Sequence, residues 1–170
     1  MKCGFVSLVG RPNVGKSTLL NSLLGMKLAI TSNVSGTTRN VIQGIYNDPD
    51  SQIIFIDTPG IHKPTHKKAY NNTEGVDVIL FLVDIYKGFG RGDEFILEKI
   101  KNHGVPVFLL LNKVDQFKDK SVLLEKINEL KEKYDFAEII PISAKKKNNL
   151  DSLISCLKKY INSIDFTNLL

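Results

Sequence analysis

Gly10-Arg11-Pro12-Asn13-Val14-Gly15-Lys16-Ser17 fits the pattern G-x-x-x-x-G-K-[ST] without a mismatch. These residue types at this spacing bind phosphate. The glycines let the backbone come close to an anion, and the N–H groups from Asn13 to Thr18 can turn inward around it. Lys16 can reach the outer phosphate oxygens, and the Ser17 hydroxyl suits magnesium. The pattern also arises by chance, so its meaning depends on what lies downstream.

Asn112-Lys113-Val114-Asp115 closes the apolar run Val105–Leu111. A carboxylate there can accept two hydrogen bonds, from the ring N–H and the exocyclic amine of guanine. Adenine carries an acceptor in place of that N–H and would strand the carboxylate, at a cost of about 1–3 kcal/mol per unpaired buried group. Asn112 and Lys113 are placed to brace the phosphate loop and cover the base. Ser143-Ala144-Lys145, after Ile139–Ile142, offers a backbone N–H to the guanine carbonyl oxygen. Asp57-Thr58-Pro59-Gly60 ends another apolar run. Asp57 can hold magnesium through a water, and the Gly60 N–H can touch a γ-phosphate. Upstream, Ser35-Gly36-Thr37-Thr38-Arg39 supplies a threonine hydroxyl as a further magnesium ligand, and spacing does not separate Thr37 from Thr38.

The elements that must carry these groups alternate between apolar runs and helical stripes. Strands are expected at 5–9, 41–46, 52–56, 76–83, 105–111 and 138–142, with 41–46 and 52–56 joined by the polar turn Asn47–Ser51. Helices are expected from Thr18 to Leu24, closed by Gly25, and around Ile96, Leu97 and Ile100. Two more follow the stripes Leu123-Ile127-Leu130-Tyr134 and Leu150-Leu153-Ile154-Leu157-Ile161, the last with Asn149 as N-cap. Near-continuous apolar strands point to a doubly wound α/β sheet, six-stranded and mostly parallel, with one antiparallel edge strand, and the phosphate motif after its first strand makes it the P-loop NTPase type. Every motif then falls at the carboxyl end of a strand, on one rim.

Bulk properties set limits. The 170 residues suit one domain, with 42% hydrophobic and 24% charged residues. No apolar run is long enough to span a bilayer, and the N-terminus enters strand-like sequence at once. Cys3 and Cys156 are too few for a disulfide framework or a structural zinc site, and read as thiols in a reducing compartment. The net charge of +5 leans weakly toward an anionic partner. The clusters Lys145-Lys146-Lys147 and His66-Lys67-Lys68 read first as solvated faces.

The run from Gly10 to Asn21, with Thr37-Thr38-Arg39, Asp57-Thr58-Pro59-Gly60-Ile61-His62-Lys63-Pro64 and Asn112-Lys113-Val114-Asp115, resembles the Era family of bacterial GTPases over essentially the whole chain. Der and MnmE share the first motif and Thr-Thr-Arg, but less typically Ile-His-Lys-Pro. The resemblance implies a GTP/GDP-binding, GTP-hydrolysing switch that uses magnesium and takes part in small ribosomal subunit assembly. It implies Lys16, Thr38 and Gly60 in catalysis, and Ser17, Thr38 and Asp57 on the metal, with Thr38 chosen by the family motif. It further implies a monomer in the cytoplasm, with peripheral contact at the inner membrane. Ribosomal RNA or a pre-ribosome is met through a C-terminal KH domain. No KH-type Gly-x-x-Gly loop occurs here, so residues 1–165 read as the nucleotide domain and 166–170 as the start of a linker. Residues 61–75 are fewer than Era proteins usually carry between Asp-Thr-Pro-Gly and the next strand, through trimming or through residues missing from the chain.

Position 61 is Ile61, which has no polar atom to orient water, a replacement the family shares. Slow hydrolysis is expected, with water held by backbone groups or by a monovalent cation. Asn13 matches the asparagine with which related GTPases help bind potassium; it also reads as a residue that shapes the loop. Arg39 follows the threonine and reads as solvent-facing, and His62 and His66 as solvated. The rival to an enzyme is a non-hydrolysing nucleotide-binding scaffold. An ATPase is incompatible with Asp115 reading guanine.

Overall fold

A computed structural model of the chain describes residues 1–26, 41–57 and 76–163. The expected strands form β1 (Lys2–Gly10), β2 (Val41–Asn47), β3 (Ser51–Asp57), β4 (Val78–Asp84), β5 (Val107–Asn112) and β6 (Glu138–Pro141). They lie in the order β2-β3-β1-β4-β5-β6. Neighbours from β3 to β6 are parallel, and β2 pairs antiparallel with β3 on the edge. This is the six-stranded, mostly parallel sheet that the apolar runs predict. A two-residue strand, β7 (Asn162–Ser163), runs antiparallel to the start of β1 and has no signal in the sequence.

Every residue of β4 and β5 is buried, so the sheet must be covered on both faces. α1 (Lys16–Met26) and α4 (Leu150–Tyr160) cover one face. There Leu19, Leu23, Leu153 and Leu157 pack on Val6, Leu8, Leu80, Phe108 and Leu110. α2 (Arg91–Ile100) and α3 (Lys120–Leu130) cover the other, where Ile96, Leu97, Ile100 and Leu130 pack on Val9, Ile79, Phe81 and Leu109. The two cores take alternate residues of the same strands, as a pleat requires.

Some boundaries differ from expectation. α1 begins at Lys16, inside the phosphate motif, and runs through Gly25. Tyr134 lies past α3, edge-on to the Phe136 ring. Asn149 stands at the N-cap of α4 but is left-handed (φ 65°) and makes no side-chain cap; its Nδ2 donates to the Pro141 carbonyl at 2.9 Å. Cys3 and Cys156 are half-buried free thiols. Among the described residues no helix is long and apolar enough to cross a membrane. Residues 61–75, with His62 and His66, and residues 166–170 lie outside the described residues, as does Arg39.

One ion pair ties the edge hairpin to the last helix. The Asp48 carboxylate, 7% exposed, meets Lys158 Nζ of α4 at 2.5 Å and accepts from the Asp50 and Ser51 N–H groups. Burial pushes its pKa up, but Lys158 and those donors outweigh burial and hold it well below the usual carboxylate range. A carboxyl depressed in the fold adds stability above its unfolded pKa and loses it as pH falls. Lys158→Met is therefore expected to cost about 1–3 kcal/mol at neutral pH. The gap between variant and wild type should narrow as pH falls from about 4 through the depressed folded-state pKa, in urea titrations run at each pH.

Candidate functional site

Parallel strands place their carboxyl ends on one rim. Gly10 lies opposite Leu82, Asp84 opposite Asn112, and Leu111 opposite Pro141. The loop after β1 runs straight into the N-terminus of α1 at Lys16, which gathers backbone N–H groups at the positive end of a helix dipole. Lys16 Nζ donates to the Gly10 carbonyl and, at 2.9 Å, to that of Arg11, so the ammonium lies over the mouth of the loop. Asn13 is left-handed at φ 66°, a conformation asparagine tolerates. Gly15 has φ +104°, and a Cβ there would run into the Asn112 amide, so both backbone and space demand glycine.

Asn112 is the keystone between the motifs. It is 3% exposed. Its Nδ2 donates to the Val14 carbonyl at 2.8 Å, and its Oδ1 accepts from the Ala144 N–H at 3.0 Å. One side chain thus locks the phosphate loop to the loop after β6. Asn112→Ala leaves two buried backbone groups unpaired and is expected to cost about 2–4 kcal/mol in urea unfolding. Ser22 of α1 adds a second tie, donating to the Ala144 carbonyl at 2.8 Å.

Lys113 is left-handed, at φ 71°, which swings its side chain back across the rim. Its Nζ donates to the Asn13 carbonyl at 3.2 Å and pairs with Asp84 Oδ2 at 2.8 Å. Burial pushes the Asp84 carboxyl up, but the Lys113 ammonium and the Lys87 N–H outweigh it, so the carboxyl sits below its ordinary pKa and is charged at neutral pH. Asp115 stands exposed in a single 3-10 turn, Val114–Gln116. The loop from Ser143 to Asn148 is closed by a reciprocal backbone pair, with Ser143 Oγ accepting from the Lys146 N–H at 3.2 Å. Its lysines face water.

These groups enclose a cavity of about 300 Å³, lined by Gly15, Thr18, Asn112, Lys113, Asp115, Gln116, Ser143 and Lys145. The structure therefore brings residues from three motifs, up to 130 positions apart in sequence (Gly15 to Lys145, 145 − 15), to one pocket. Asn13, Val14 and Ala144 join it through the hydrogen bonds above, and Lys16 and Ser17 open α1 beside it. Asp57 ends β3 on the same rim. Thr37, Thr38 and Gly60 lie outside the described residues. Sequence reasoning missed Gln116, Ser22 and Asp84. An acidic residue closing the strand Val78–Asp84 repeats the pattern that singles out Asp57, and is the available signal for Asp84.

Residues 5–113 match the family model described as 50S ribosome-binding GTPase. The chain is similar to Era in a crystal complex with MgGDPNP and nucleotides 1506–1542 of 16S ribosomal RNA. That match has 43% identity and a TM-score of 0.77, and covers 97% of this chain and 59% of that one. It is similar to a single-residue variant of Aquifex aeolicus Era bound to GDP·AlF4⁻, at 42% identity and TM-score 0.77 over the same shares. A bacterial selenocysteine-specific elongation factor, EF-Sec, shares the fold at 23% identity and TM-score 0.70, over 99% of this chain and 30% of that one. The chain thus spans about three-fifths of the two Era chains (59%).

Proposed function

This chain belongs to the 50S ribosome-binding GTPase family, as an Era-like GTPase domain, and from that premise we propose that it hydrolyses GTP to GDP and phosphate as a switch. The observation that carries this reading is the single pocket that joins Gly15 and Thr18 of the phosphate loop to Asp115 and Lys145 at the base end. The residues from Asn13 to Thr18 hold the phosphates. Asp115 reads guanine, the loop Ser143-Ala144-Lys145 faces its carbonyl oxygen, and Asn112 and Lys113 fix the two halves to each other.

The donors proposed for magnesium are the Ser17 and Thr38 hydroxyls and the Asp57 carboxylate. They are hard oxygens of the kind that ion takes, and Ser17 lies on the first turn of α1 beside the loop. Bound magnesium neutralises charge on the phosphates. Lys16 and the loop N–H groups stabilise the charge that develops on the transferred group, and the Gly60 N–H acts at the γ-phosphate. Ile61 can orient no water, so turnover is slow and gains from potassium near Asn13. Residues 29–40 and 58–75 carry the difference between GTP and GDP forms to a partner. The Era complex with 16S ribosomal RNA supports a role in small-subunit assembly, with RNA read by a domain outside these 170 residues. We further propose, on the family resemblance of the sequence alone, a monomer in the cytoplasm with peripheral contact at the inner membrane.

Phosphate release by the pure chain tests the reading. GTP with magnesium should give steady release and ATP none, and potassium should outpace sodium. Equal rates in the two salts remove the cation from the scheme. No release from GTP, with GDP still bound, leaves the non-hydrolysing scaffold.

A further inference from the structure

The connection between β4 and α2, residues 85–90, begins next to one buried carboxylate and ends near another. Asp84 closes β4 and Asp93 lies in the first turn of α2, and both side chains are almost completely buried. Each meets a cation attached to the phosphate loop. Lys113 pairs with Asp84 and donates to the Asn13 carbonyl. Arg11, whose own carbonyl accepts from Lys16, reaches Asp93 Oδ2 with its guanidinium at 3.4 Å.

The Arg11 contact has a built seat. Its side chain lies across Gly90 and Gly92, where a Cβ at position 92 would come within 2.7 Å of Arg11 Nε and one at position 90 within 3.3 Å of a guanidinium nitrogen. Larger residues there would lift the arginine away. Asp93 also serves its own helix, with Oδ2 accepting from the Gly90 N–H at 2.9 Å. That local cap does not need an arginine. Its other oxygen, Oδ1, is buried with no hydrogen-bond partner among the described residues, so the charge leans on Arg11.

We propose that the β4–α2 connection is a second clamp on the phosphate loop, with Asp84 and Asp93 as positioning residues that set how long a bound guanine nucleotide stays. The inference rests on the function proposed above. A nest of N–H groups binds an anion tightly only if it is already in shape. Asn112 fixes the loop at Val14. The two acid–base links fix it at Arg11 and Asn13, which leaves little slack between Gly10 and Lys16.

The test is the dissociation rate of a fluorescent GDP from the full chain, alongside its melting temperature. Arg11→Met, Asp93→Asn and Asp84→Asn are each expected to speed release by about tenfold or more, the scale of losing a hydrogen bond to a charged group. Arg11→Met with Asp93→Asn should release no faster than the worse single variant, because both break one link, whereas Arg11→Met with Asp84→Asn should multiply. Lys158→Met should melt lower yet release at the wild-type rate. Arg11 is half exposed, so Arg11→Met folds even if Asp93→Asn does not. Release within twofold of wild type in Arg11→Met and Asp84→Asn, or release that tracks melting temperature across all the variants, overturns the clamp. Wild-type chain that binds no GDP overturns the proposed function instead.

Discussion

Lys16→Ala should leave a folded protein that turns over GTP about 100- to 1,000-fold more slowly, as expected for one lost preorganised donor. The side chain is half-buried, and its ammonium donates to carbonyls at the mouth of the loop. Those carbonyls can take water once the ammonium is gone. Alanine suits the first turn of α1 better than lysine does. The change in unfolding free energy is therefore expected to stay within about 0.5 kcal/mol, as for an ordinary surface substitution. Chemistry should suffer far more. In the proposed reaction, charge develops on oxygens that magnesium, backbone N–H groups and this ammonium must meet. Removing a single preorganised donor of that kind costs about 100- to 1,000-fold in rate. Single-turnover phosphate release, measured at saturating GTP beside a urea titration of the same sample, separates the two effects. A rate within a few-fold of wild type would mean that Lys16 is held against Gly10 and Arg11 for structural reasons, and that the charge is met elsewhere.

What the sequence reveals of this site depends on what fixes each residue type. Turn chemistry is written in residue types. Gly15 must be glycine because its φ is positive and Asn112 fills the space of a Cβ, and that requirement shows as a fixed letter in the motif. Buried parallel strands show as unbroken apolar runs, and β4 and β5 carry no exposed residue to interrupt them. Long-range polar links leave no such mark. Arg11 and Asp93 stand 82 positions apart, and nothing in either neighbourhood announces the other. Asn149 misleads for the same reason. Its type and place suit a helix cap, but its backbone is left-handed and its amide is turned to donate from Nδ2 to the Pro141 carbonyl, so its oxygen caps nothing. Where a cross-rim role belongs to a motif, as for Asn112 and Lys113, sequence suffices; where the partner carries no such mark, as for Arg11 and Asp93, only the fold reveals it.

Asp115→Asn should change which base the pocket accepts. Asp115 stands on a one-turn 3-10 helix whose start is fixed: the Val114 N–H donates to the Ile142 carbonyl at 3.3 Å, and Lys113 holds its left-handed turn. The substitution alters charge and donor pattern while keeping shape and placement. A carboxylate accepts from both the ring N–H and the exocyclic amine of guanine. Asparagine can accept from only one of them, and its amide then faces the amine donor to donor. Two charge-assisted hydrogen bonds are spoiled, which is expected to weaken GDP binding by about 2–4 kcal/mol, or roughly 30- to 1,000-fold. Xanthine carries a carbonyl where guanine carries the amine, so the same amide finds an acceptor there. The variant should bind xanthosine diphosphate more tightly than GDP, and the wild type should show the reverse order. Competition of each nucleotide against a fluorescent analogue reads both rankings. If the variant keeps the wild-type order, the base is recognised by other groups on the rim, such as the backbone of the Ser143–Lys145 loop or the Gln116 side chain, and the reading of Asp115 must be given up. Since Asp115 is exposed and takes no part in the buried Asn112–Val14 bond that locks the loops, folding stability should not follow the change in preference.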